Sequence, residues 1–347
     1  MSKPADPLQC GMTNIFRRYI AALGLVIFAP SSLATVYQLR SDGGAVFGEP
    51  LMITTRKEDT LIEIARHYSL GYEELGRVNA GVDPWLPGEG TIITLPMQRI
   101  LPPGPREGIV VNLPEHRLYF FPPRKRGSPA TVMTFPVSIG RMDWRTPIGT
   151  TQIVDKTKNP TWTPPASVRA EHLARGEPPL PAVVPPGPDN PLGAYMMRLN
   201  IPGGSYLIHG TNNPDAVGMA VTHGCIRMYP EDIEALFPLV SVGTPVTLIN
   251  EPLKIDWIDG SLWLEVHPPV DAEGQTATIN VQQFSDRLQS ILGDTEAAIY
   301  WEYAQETLAK SDGVPVTVGL EVITDGRSLL HPADPDATES AAPNPRD

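Results

Sequence analysis

Short apolar runs dominate the chain between residues 107 and 250 and predict a β-rich domain. Residues 109–113 and Arg117–Phe121 lie on either side of a short turn and predict a hairpin. Further strands are predicted at 131–139, 149–156, 195–200, 205–208 and 244–249. Residues 230–239 predict a helix, because two acidic residues suit its first turn. We therefore expect a mainly β domain with a short helix.

Residues 52–96 change to a mixed pattern of strand and helix. The expected elements are a first strand, helices at 61–68 and 72–79, and a last strand at 91–95. Asp59 or Thr60 can cap the first of these helices through its side-chain oxygen. Strand, helix, helix and strand in so short a segment predict a small α+β module.

Four further segments border these two domains. Their predicted bounds are 35–51 for a short leading segment, 97–106 for a proline-rich linker, 251–329 for a small α+β accessory module and 330–347 for a disordered tail. In the accessory module Asp259-Gly260 predicts a hairpin turn between two apolar strands. Helices are predicted after it at 281–292 and 295–310.

Residues 159–191 interrupt the strand pattern inside the β-rich domain. They carry many prolines and few periodic apolar positions. A long irregular connection within a compact domain is usually functional. We therefore expect this stretch to be a loop or lid that covers a site.

The N-terminus predicts a secretory signal over residues 1–34. Arg17 and Arg18 form a basic region, and residues 19–28 form an apolar run too short to span a bilayer comfortably. Small residues end at Ala34, where we expect cleavage, and Met12 is an alternative start. An uncleaved anchor is the competing interpretation. Cleavage would make the protein periplasmic, without a membrane span and without Cys10.

The composition limits the possible partners. The chain has 347 residues, 41% of them hydrophobic, and a formal net charge of −12. This acidic balance argues against nucleic acid as a partner, since phosphate binding needs a basic surface. A local basic cluster at Arg124, Lys125 and Arg126 is compatible with that conclusion.

The most informative chemistry lies between residues 206 and 228. Cys225 is the one cysteine left after signal cleavage, so it has no disulfide partner in an oxidising compartment. A nearby imidazole can take the thiol proton or stabilise the thiolate. His209 ends an apolar strand and His223 shares a face with Cys225 in extended geometry. Spacing alone does not choose between these two histidines.

Acyl transfer through a tetrahedral intermediate also needs N–H donors for the developing negative charge. The amides of His223, Gly224 and Cys225 can supply them, and Arg227 can bind a substrate carboxylate. Two other interpretations compete. Cys225 could be a buried structural thiol, or His209, His223 and Cys225 could bind zinc, although no metal-ligand spacing supports that site.

These motifs carry a family resemblance. His209-Gly210-Thr211 followed by Thr222-His223-Gly224-Cys225-Ile226-Arg227-Met228 resembles the signature of L,D-transpeptidase (YkuD) domains, in their ErfK/YbiS/YcfS-type subgroup. Residues 146–150, 158–162 and 266–269 are also similar to that subgroup. Residues 52–96 resemble a LysM module, a family that binds N-acetylglucosamine-containing glycans. The implied fold is a YkuD-like β-sandwich with a short helix, flanked by the LysM-like module and the accessory module.

The resemblance also implies roles for individual residues. Cys225 matches the nucleophile and His209 the proton donor and acceptor, with the carbonyl of Gly210 orienting the imidazole. His223 and Gly224 match the oxyanion site and the pocket wall.

The expected substrate contacts are a further group. They are Arg227, Thr222, Tyr206 and Trp162, and Trp144 is another candidate. Thr222 replaces the serine that is commoner in the family. The three aromatic residues are equally well explained as core.

The resemblance implies a two-step acyl transfer on peptidoglycan tetrapeptide stems, with a thioester on Cys225 and no metal or cofactor. The acceptor would be a diaminopimelate amine, the lysine of an outer-membrane lipoprotein, or water in a carboxypeptidase. A hydrolytic cysteine peptidase or amidase and a non-catalytic peptidoglycan-binding protein are the alternatives. Labelling of Cys225 by iodoacetamide or a carbapenem would separate the catalytic from the binding interpretation.

Overall fold

The structure, a computed structural model, describes residues 35–141, 146–269, 279–293 and 295–322. The predicted signal segment with Cys10, the candidate Trp144 and the predicted tail lie outside these residues. Within the described ranges, no helix has the length and apolar character needed to cross a membrane.

The first part of the described chain contains two short helices between short strands. Its elements are β1 Val36–Gln38, β2 Val46–Phe47, β3 Leu51–Thr54, α1 Leu61–His67, α2 Tyr72–Val78, β4 Ile92–Leu95 and β5 Arg99–Ile100. The predicted order of strand, helix, helix and strand over 52–96 is confirmed. Thr60 caps α1 by accepting a hydrogen bond from the Glu63 amide at 3.1 Å. Asn79 joins the end of α2 to β4 through two hydrogen bonds with the Thr94 backbone.

The central part of the chain is built mainly of strands. Its elements are β6 Gly108–Asn112, β7 Arg117–Phe121, β8 Thr131–Pro136, β9 Ile139–Gly140, β10 Gly149–Lys158, α3 Ala166–Ala174, β11 Tyr195–Leu199, β12 Leu207–His209, β13 Ala220–Thr222, β14 Ile226–Arg227, α4 Pro230–Leu236 and β15 Pro245–Ile249, with a 3-10 turn at Pro214–Ala216. Among the described residues, nine strands form one sheet in the order β1-β8-β7-β6-β15-β10-β11-β12-β14. The mainly β class is confirmed.

Both faces of this sheet are covered, which explains the nearly continuous apolar runs in its strands. Ile109 and Phe120 point into the main core, whereas Val110 and Tyr119 pack on the other face against residues of the leading strands. Alternate side chains of a strand lie on opposite faces, so two cores share one pair of strands. The helix α4 closes the main core with Ile233 and Leu236.

The stretch 159–191 is less irregular than predicted, because it contains the nine-residue helix α3. None of the residues of α3 is buried. The apolar periodicity that normally reveals a helix is therefore absent. The stretch joins the antiparallel strands β10 and β11, so both of its ends are fixed on the sheet.

The last part of the chain forms its own sheet and core. Its elements are β16 Leu253–Ile258, β17 Ser261–Val266, α5 Val281–Leu292, β18 Ala297–Ile299, α6 Trp301–Lys310 and β19 Val316–Glu321. The hairpin at Asp259-Gly260 is confirmed, and both residues have positive φ, 49° and 75°. The helix predicted at 295–310 begins only at Trp301. Residues of β18 pair with β19 instead, so long-range pairing overrides the local pattern.

Two buried networks of charged side chains join these three parts. Glu74 of α2 accepts hydrogen bonds from Arg99 and Arg117, both at 2.5 Å. Burial alone would raise its pKa, but Arg117 and then Arg99 lower the pKa of Glu74 to about 2. Lys254 lies 3.0 Å from Glu115 and 2.7 Å from Glu265. In each network one ion pair crosses between parts: Arg117 with Glu74, and Lys254 with Glu115.

Candidate active site

The strands β12 and β14 lie side by side at one edge of the nine-stranded sheet and bring the two parts of the motif together. They are parallel, with Ile208 opposite Ile226 and His209 opposite Arg227. Ile208 and Ile226 belong to the main core. Since neighbouring side chains of a strand point to opposite faces, His209 and Arg227 lie on the other face. Cys225 directly precedes β14, so nucleophile and base candidates are carried by adjacent strands.

His209 is held in one tautomer by the backbone. Its side chain is buried, with 5% of the residue surface exposed, and Nδ1 lies 2.6 Å from the carbonyl oxygen of Gly210. A carbonyl can only accept, so Nδ1 carries the hydrogen and Nε2 keeps a free lone pair. Burial, and next the charge of Arg227, lowers the pKa of His209 to about 3, and the bond to Gly210 opposes this only in part. His209 is therefore a neutral base at neutral pH.

Gly210 holds its carbonyl in place by tight packing. Its amide donates to the carbonyl of Tyr195 at 3.1 Å. A Cβ at this position would lie 3.2 Å from the Ile233 side chain and 3.4 Å from the carbonyl oxygen of Leu192. A side chain here would press against α4, and this close packing limits the movement of the Gly210 carbonyl that His209 is bonded to.

Cys225 is a free, partly buried thiol. Its Sγ lies 3.5 Å from the carbonyl oxygen of Ser205. Burial raises the pKa of the Cys225 thiol, whereas a backbone hydrogen bond at Leu207 and the charge of Arg227 act in the opposite direction. Cys225 and His209 are therefore both neutral at rest. A thiol and an imidazole that are both neutral can react with an electrophile only if the thiol proton is transferred.

The turn before Cys225 is fixed by a glycine and two threonine hydroxyls. Gly224 has φ +94°, a conformation in which other residues are strained. Thr146 donates to the carbonyl of Gly224 at 3.1 Å, and Thr222 donates to the carbonyl of Cys225 at 2.5 Å. Each bond fixes a peptide plane. The first of these planes contains the Cys225 amide, an N–H group suited to stabilising an oxyanion.

Thr146 is a functional candidate that the sequence did not single out for a role. It lies in the segment 146–150 that resembles the subgroup, and its hydroxyl also accepts from the amide of Gly140 at 3.1 Å. Thr146 thus links β9 to the turn that precedes Cys225. The sequence signal that could have identified Thr146 is its place in the segment 146–150, which is similar to the subgroup.

Arg227 has an unused donor on its buried side. Its backbone pairs with Ser138 through two hydrogen bonds of 2.8 and 3.0 Å, which anchor β14. Its buried Nε has no hydrogen-bond partner among the described residues. Burial lowers the pKa of Arg227, and its charge acts on both His209 and Cys225. An anionic group bound here would satisfy a buried donor.

His223 contacts a residue that sequence reasoning missed. Its Nε2 lies 2.7 Å from Oε2 of Glu171, a residue of α3. Arg141 binds the same carboxylate with two bonds of 2.9 and 2.6 Å. Glu171 is far from His223 in sequence and lies on a helix without a buried face. No sequence pattern therefore indicated that the two residues are in contact.

The aromatic candidates lie at different places. Tyr206 directly precedes β12, is half buried and packs against the main core, and its carbonyl accepts from the amide of Leu199 at 2.9 Å. The backbone of Trp162 pairs with Val184 at 2.9 and 2.8 Å inside the stretch 159–191. Trp162 is therefore a part of that stretch, and its contact with substrate stays a prediction.

Among the residues that the structure describes, one group of side chains has the spacing of metal ligands, and it lies among the buried charges. Ligand atoms of Glu115, Glu265 and His267 lie within 4.8 Å of one another. The Lys254 ammonium is already bonded to both carboxylates, at 3.0 and 2.7 Å. A cation belonging to the chain thus occupies this position.

Comparison with known proteins agrees with these features. Residues 106–248 match the family described as the L,D-transpeptidase catalytic domain (YkuD). The chain is 39% identical to the probable L,D-transpeptidase YcfS of Escherichia coli, over 87% of this chain and 93% of that protein. It is 39% identical to the probable L,D-transpeptidase YbiS of the same organism, over 86% and 96%. For the probable L,D-transpeptidase ErfK/SrfK of Escherichia coli the identity is 37%, over 86% and 96%.

Proposed function

This chain belongs to the L,D-transpeptidase (YkuD) family, and on that premise we propose that it transfers the acyl group of a peptidoglycan tetrapeptide stem through a thioester on Cys225. The observation that carries the proposal is the neighbouring placement of a neutral thiol and a neutral imidazole. His209 has its Nε2 free because Nδ1 is bonded to Gly210. An accepting nitrogen and a thiol on adjacent strands are what coupled proton transfer and attack require.

In the first step Sγ of Cys225 attacks the carbonyl carbon at the L-centre of diaminopimelate, and its proton moves to Nε2 of His209. The negative charge on the carbonyl oxygen is stabilised by backbone N–H groups of the turn, among them that of Cys225. The bond to the leaving D-alanine then breaks, and His209 gives its proton to the departing amine. A thioester and a neutral imidazole remain.

In the second step an amine attacks the thioester carbonyl and loses its proton to His209. Sulfur leaves as the thiolate and takes that proton back, which restores the resting site. A diaminopimelate amine as acceptor gives a cross-link between two stems, and a lipoprotein lysine gives a protein attachment. Water in the same position makes the enzyme a carboxypeptidase.

Arg227 is the proposed anchor for a substrate carboxylate. Its buried Nε has no hydrogen-bond partner among the described residues, and a guanidinium binds a carboxylate with two parallel hydrogen bonds. Gly224 is proposed to shape the oxyanion site, with His223 in the pocket wall, and Thr222 keeps its proposed place among the substrate contacts. Tyr206 and Trp162 keep their proposed role as donor-stem contacts.

The segment before the catalytic domain is proposed to bind glycan strands as a LysM-like module. The exposed apolar side chains Trp85 and Leu86, with 61% and 77% of their surface accessible, support this role because sugar rings stack on such surfaces. Co-sedimentation with insoluble peptidoglycan tests it. We expect Trp85→Ala to lose binding, and unchanged sedimentation would contradict the role.

We further propose export to the periplasm, where this substrate lies. Sizing the protein recovered from the periplasmic fraction tests it, since cleavage after Ala34 shortens the chain.

The catalytic proposal is tested by incubating purified protein with tetrapeptide muropeptides and measuring products by mass spectrometry. We expect release of D-alanine, and a trapped adduct on the native thiol after treatment with a carbapenem. Cys225→Ala should abolish both signals, while Cys225→Ser keeps the size of the side chain and serves as the matched control. Products that persist in Cys225→Ala would overturn the assignment of the nucleophile. Adding each amine acceptor separately distinguishes the three second steps.

A further inference from the structure

We propose that Glu171 is a positioning residue for this site: by binding His223 and Arg141 together, it holds α3 closed against the turn that carries the nucleophile. The inference rests on the proposed role of Cys225. It goes beyond that role because it assigns a purpose to the inserted helix and to a carboxylate outside the motif.

The contacts around Glu171 connect three separate elements. One carboxylate oxygen lies 2.7 Å from Nε2 of His223 and 2.6 Å from Arg141. The other lies 2.9 Å from Arg141. Arg141 itself is tied to the turn, because its amide donates to the carbonyl of Thr222 at 3.0 Å. Glu171 therefore contacts the turn before Cys225 twice, directly through His223 and indirectly through Arg141.

The direction of these bonds follows from the charge of Glu171. Hydrogen bonds from Arg141, and next from His223, lower the pKa of Glu171 to about 2. An ionised carboxylate only accepts, so Nε2 of His223 is the donor. Glu171 thereby keeps a hydrogen on Nε2 and fixes the ring orientation of a residue two positions before Cys225.

Polar side chains make several of the contacts that hold helix α3 and the stretch around it. None of its residues is buried. Within the stretch, Arg169 donates to the carbonyls of Pro164, Leu180 and Ala182, which makes the stretch a self-supporting unit. Opening the helix away from the turn exposes no fully buried residue of α3, so the ion pairs of Glu171 contribute to the cost of opening.

The base of the stretch is fixed, in contrast to its helix. Asn190 is fully buried and its side chain donates to the carbonyl of Pro160 at 2.8 Å. The amide of Asn159 donates to the carbonyl of Ala194 at 2.7 Å. A fixed base and a helix held by a few ion pairs are what a lid requires. We expect this lid to close over bound substrate and to exclude water from the thioester.

The test compares Glu171→Gln with Glu177→Gln in the full chain. Glu177 is the control because it lies in the same stretch but does not contact the turn. Its carboxylate pairs with His172 at 2.7 Å and with Arg175 at 3.1 Å. The rate of Cys225 alkylation is measured with iodoacetamide and with a bulky maleimide. For Glu171→Gln we expect the ratio of bulky to small reagent to rise roughly three- to tenfold, as loss of a few partly exposed ion pairs allows. Glu177→Gln should keep the ratio of the unchanged protein.

A second readout separates positioning from mere access. In the D-alanine release assay we expect Glu171→Gln to lower kcat roughly three- to tenfold with a change in KM below about twofold, because His223 loses its orientation in the bound complex. In a His223→Ala background the effect of Glu171→Gln on kcat should disappear, while its effect on alkylation stays. Equal alkylation ratios and equal kcat for Glu171→Gln and Glu177→Gln would overturn the proposal. If the unchanged protein releases no D-alanine, the proposed function fails, and the alkylation ratio still decides whether Glu171 closes the lid.

Discussion

Replacing Asp232 by asparagine is expected to stabilise this protein at pH 8 and to have a much smaller effect near pH 4.5. Asp232 lies in the first turn of α4, with 1% of its surface exposed, and accepts a hydrogen bond from Ser69 at 2.9 Å. Burial raises the pKa of Asp232 to about 7, and Glu231 adds to this, whereas the bond from Ser69 and the charges of Arg117 and Arg66 oppose it.

The magnitude follows from the two pKa values. Between the ordinary value of 3.8 and about 7 the unfolded chain releases the proton of this carboxyl while the folded protein retains it. Stability therefore falls as the pH rises through that window, by at most about 1.4 kcal/mol per pH unit. Over about three units the ceiling is about 4 kcal/mol, and relaxation around the charge reduces it to about 1–3 kcal/mol. Asparagine resembles the protonated carboxyl and does not titrate.

The assay is urea unfolding of Asp232→Asn and the unchanged protein at pH 4.5 and pH 8. Other groups that titrate in this range, including His209, are the same in both proteins and cancel in the difference. Glu231→Gln is the matched control. Its carboxylate is partly exposed and paired with Arg66 at 2.7 Å, so this change should not stabilise at either pH. A loss of stability for Asp232→Asn that is equal at both pH values would refute the reasoning, because Asp232 would then be ionised in the folded state.

Three further changes test the turn and the buried charges. Gly224→Ala should cost about 1–2 kcal/mol in urea unfolding, because its φ of +94° strains other residues, and D-alanine release should fall about tenfold or more as the oxyanion donors shift. Thr222→Val should lower kcat about tenfold while Thr222→Ser, which keeps the hydroxyl, stays near the original rate. Lys254→Met should lower the free energy of unfolding by about 3–5 kcal/mol, because Glu115 and Glu265 are left buried without their cation. Urea unfolding that is unchanged in this variant would contradict the prediction.

The hairpins and the small helical module could be predicted because their local signals agree with their surroundings. Asp259-Gly260 supplies the turn and alternating residues supply the two faces of β16 and β17. Thr60 caps α1 as its sequence position suggests. In these elements the residues that decide the structure are neighbours in the chain, so a pattern reveals them.

The rest depends on contacts between distant residues. Helix α3 has no buried face, and β18 exists because β19 pairs with it. The choice between His209 and His223 was open from spacing alone. It needs the positions of two acceptors, the Gly210 carbonyl for one ring and Glu171 for the other. No pattern in the sequence indicates that Glu171 reaches His223.

The two buried charge networks have a consequence for how this chain can be divided. A segment cut to residues 106–248, the range of the family match, would keep Arg117 and Glu115 but lose their partners Glu74 and Lys254. Each would then lose its ion-pair partner and keep only neutral hydrogen-bond partners, Thr134 for Arg117 and Asn112 and Tyr119 for Glu115. The parts of this protein are therefore poor candidates for exchange between relatives by recombination, unless the acidic and basic members of each network are inherited together.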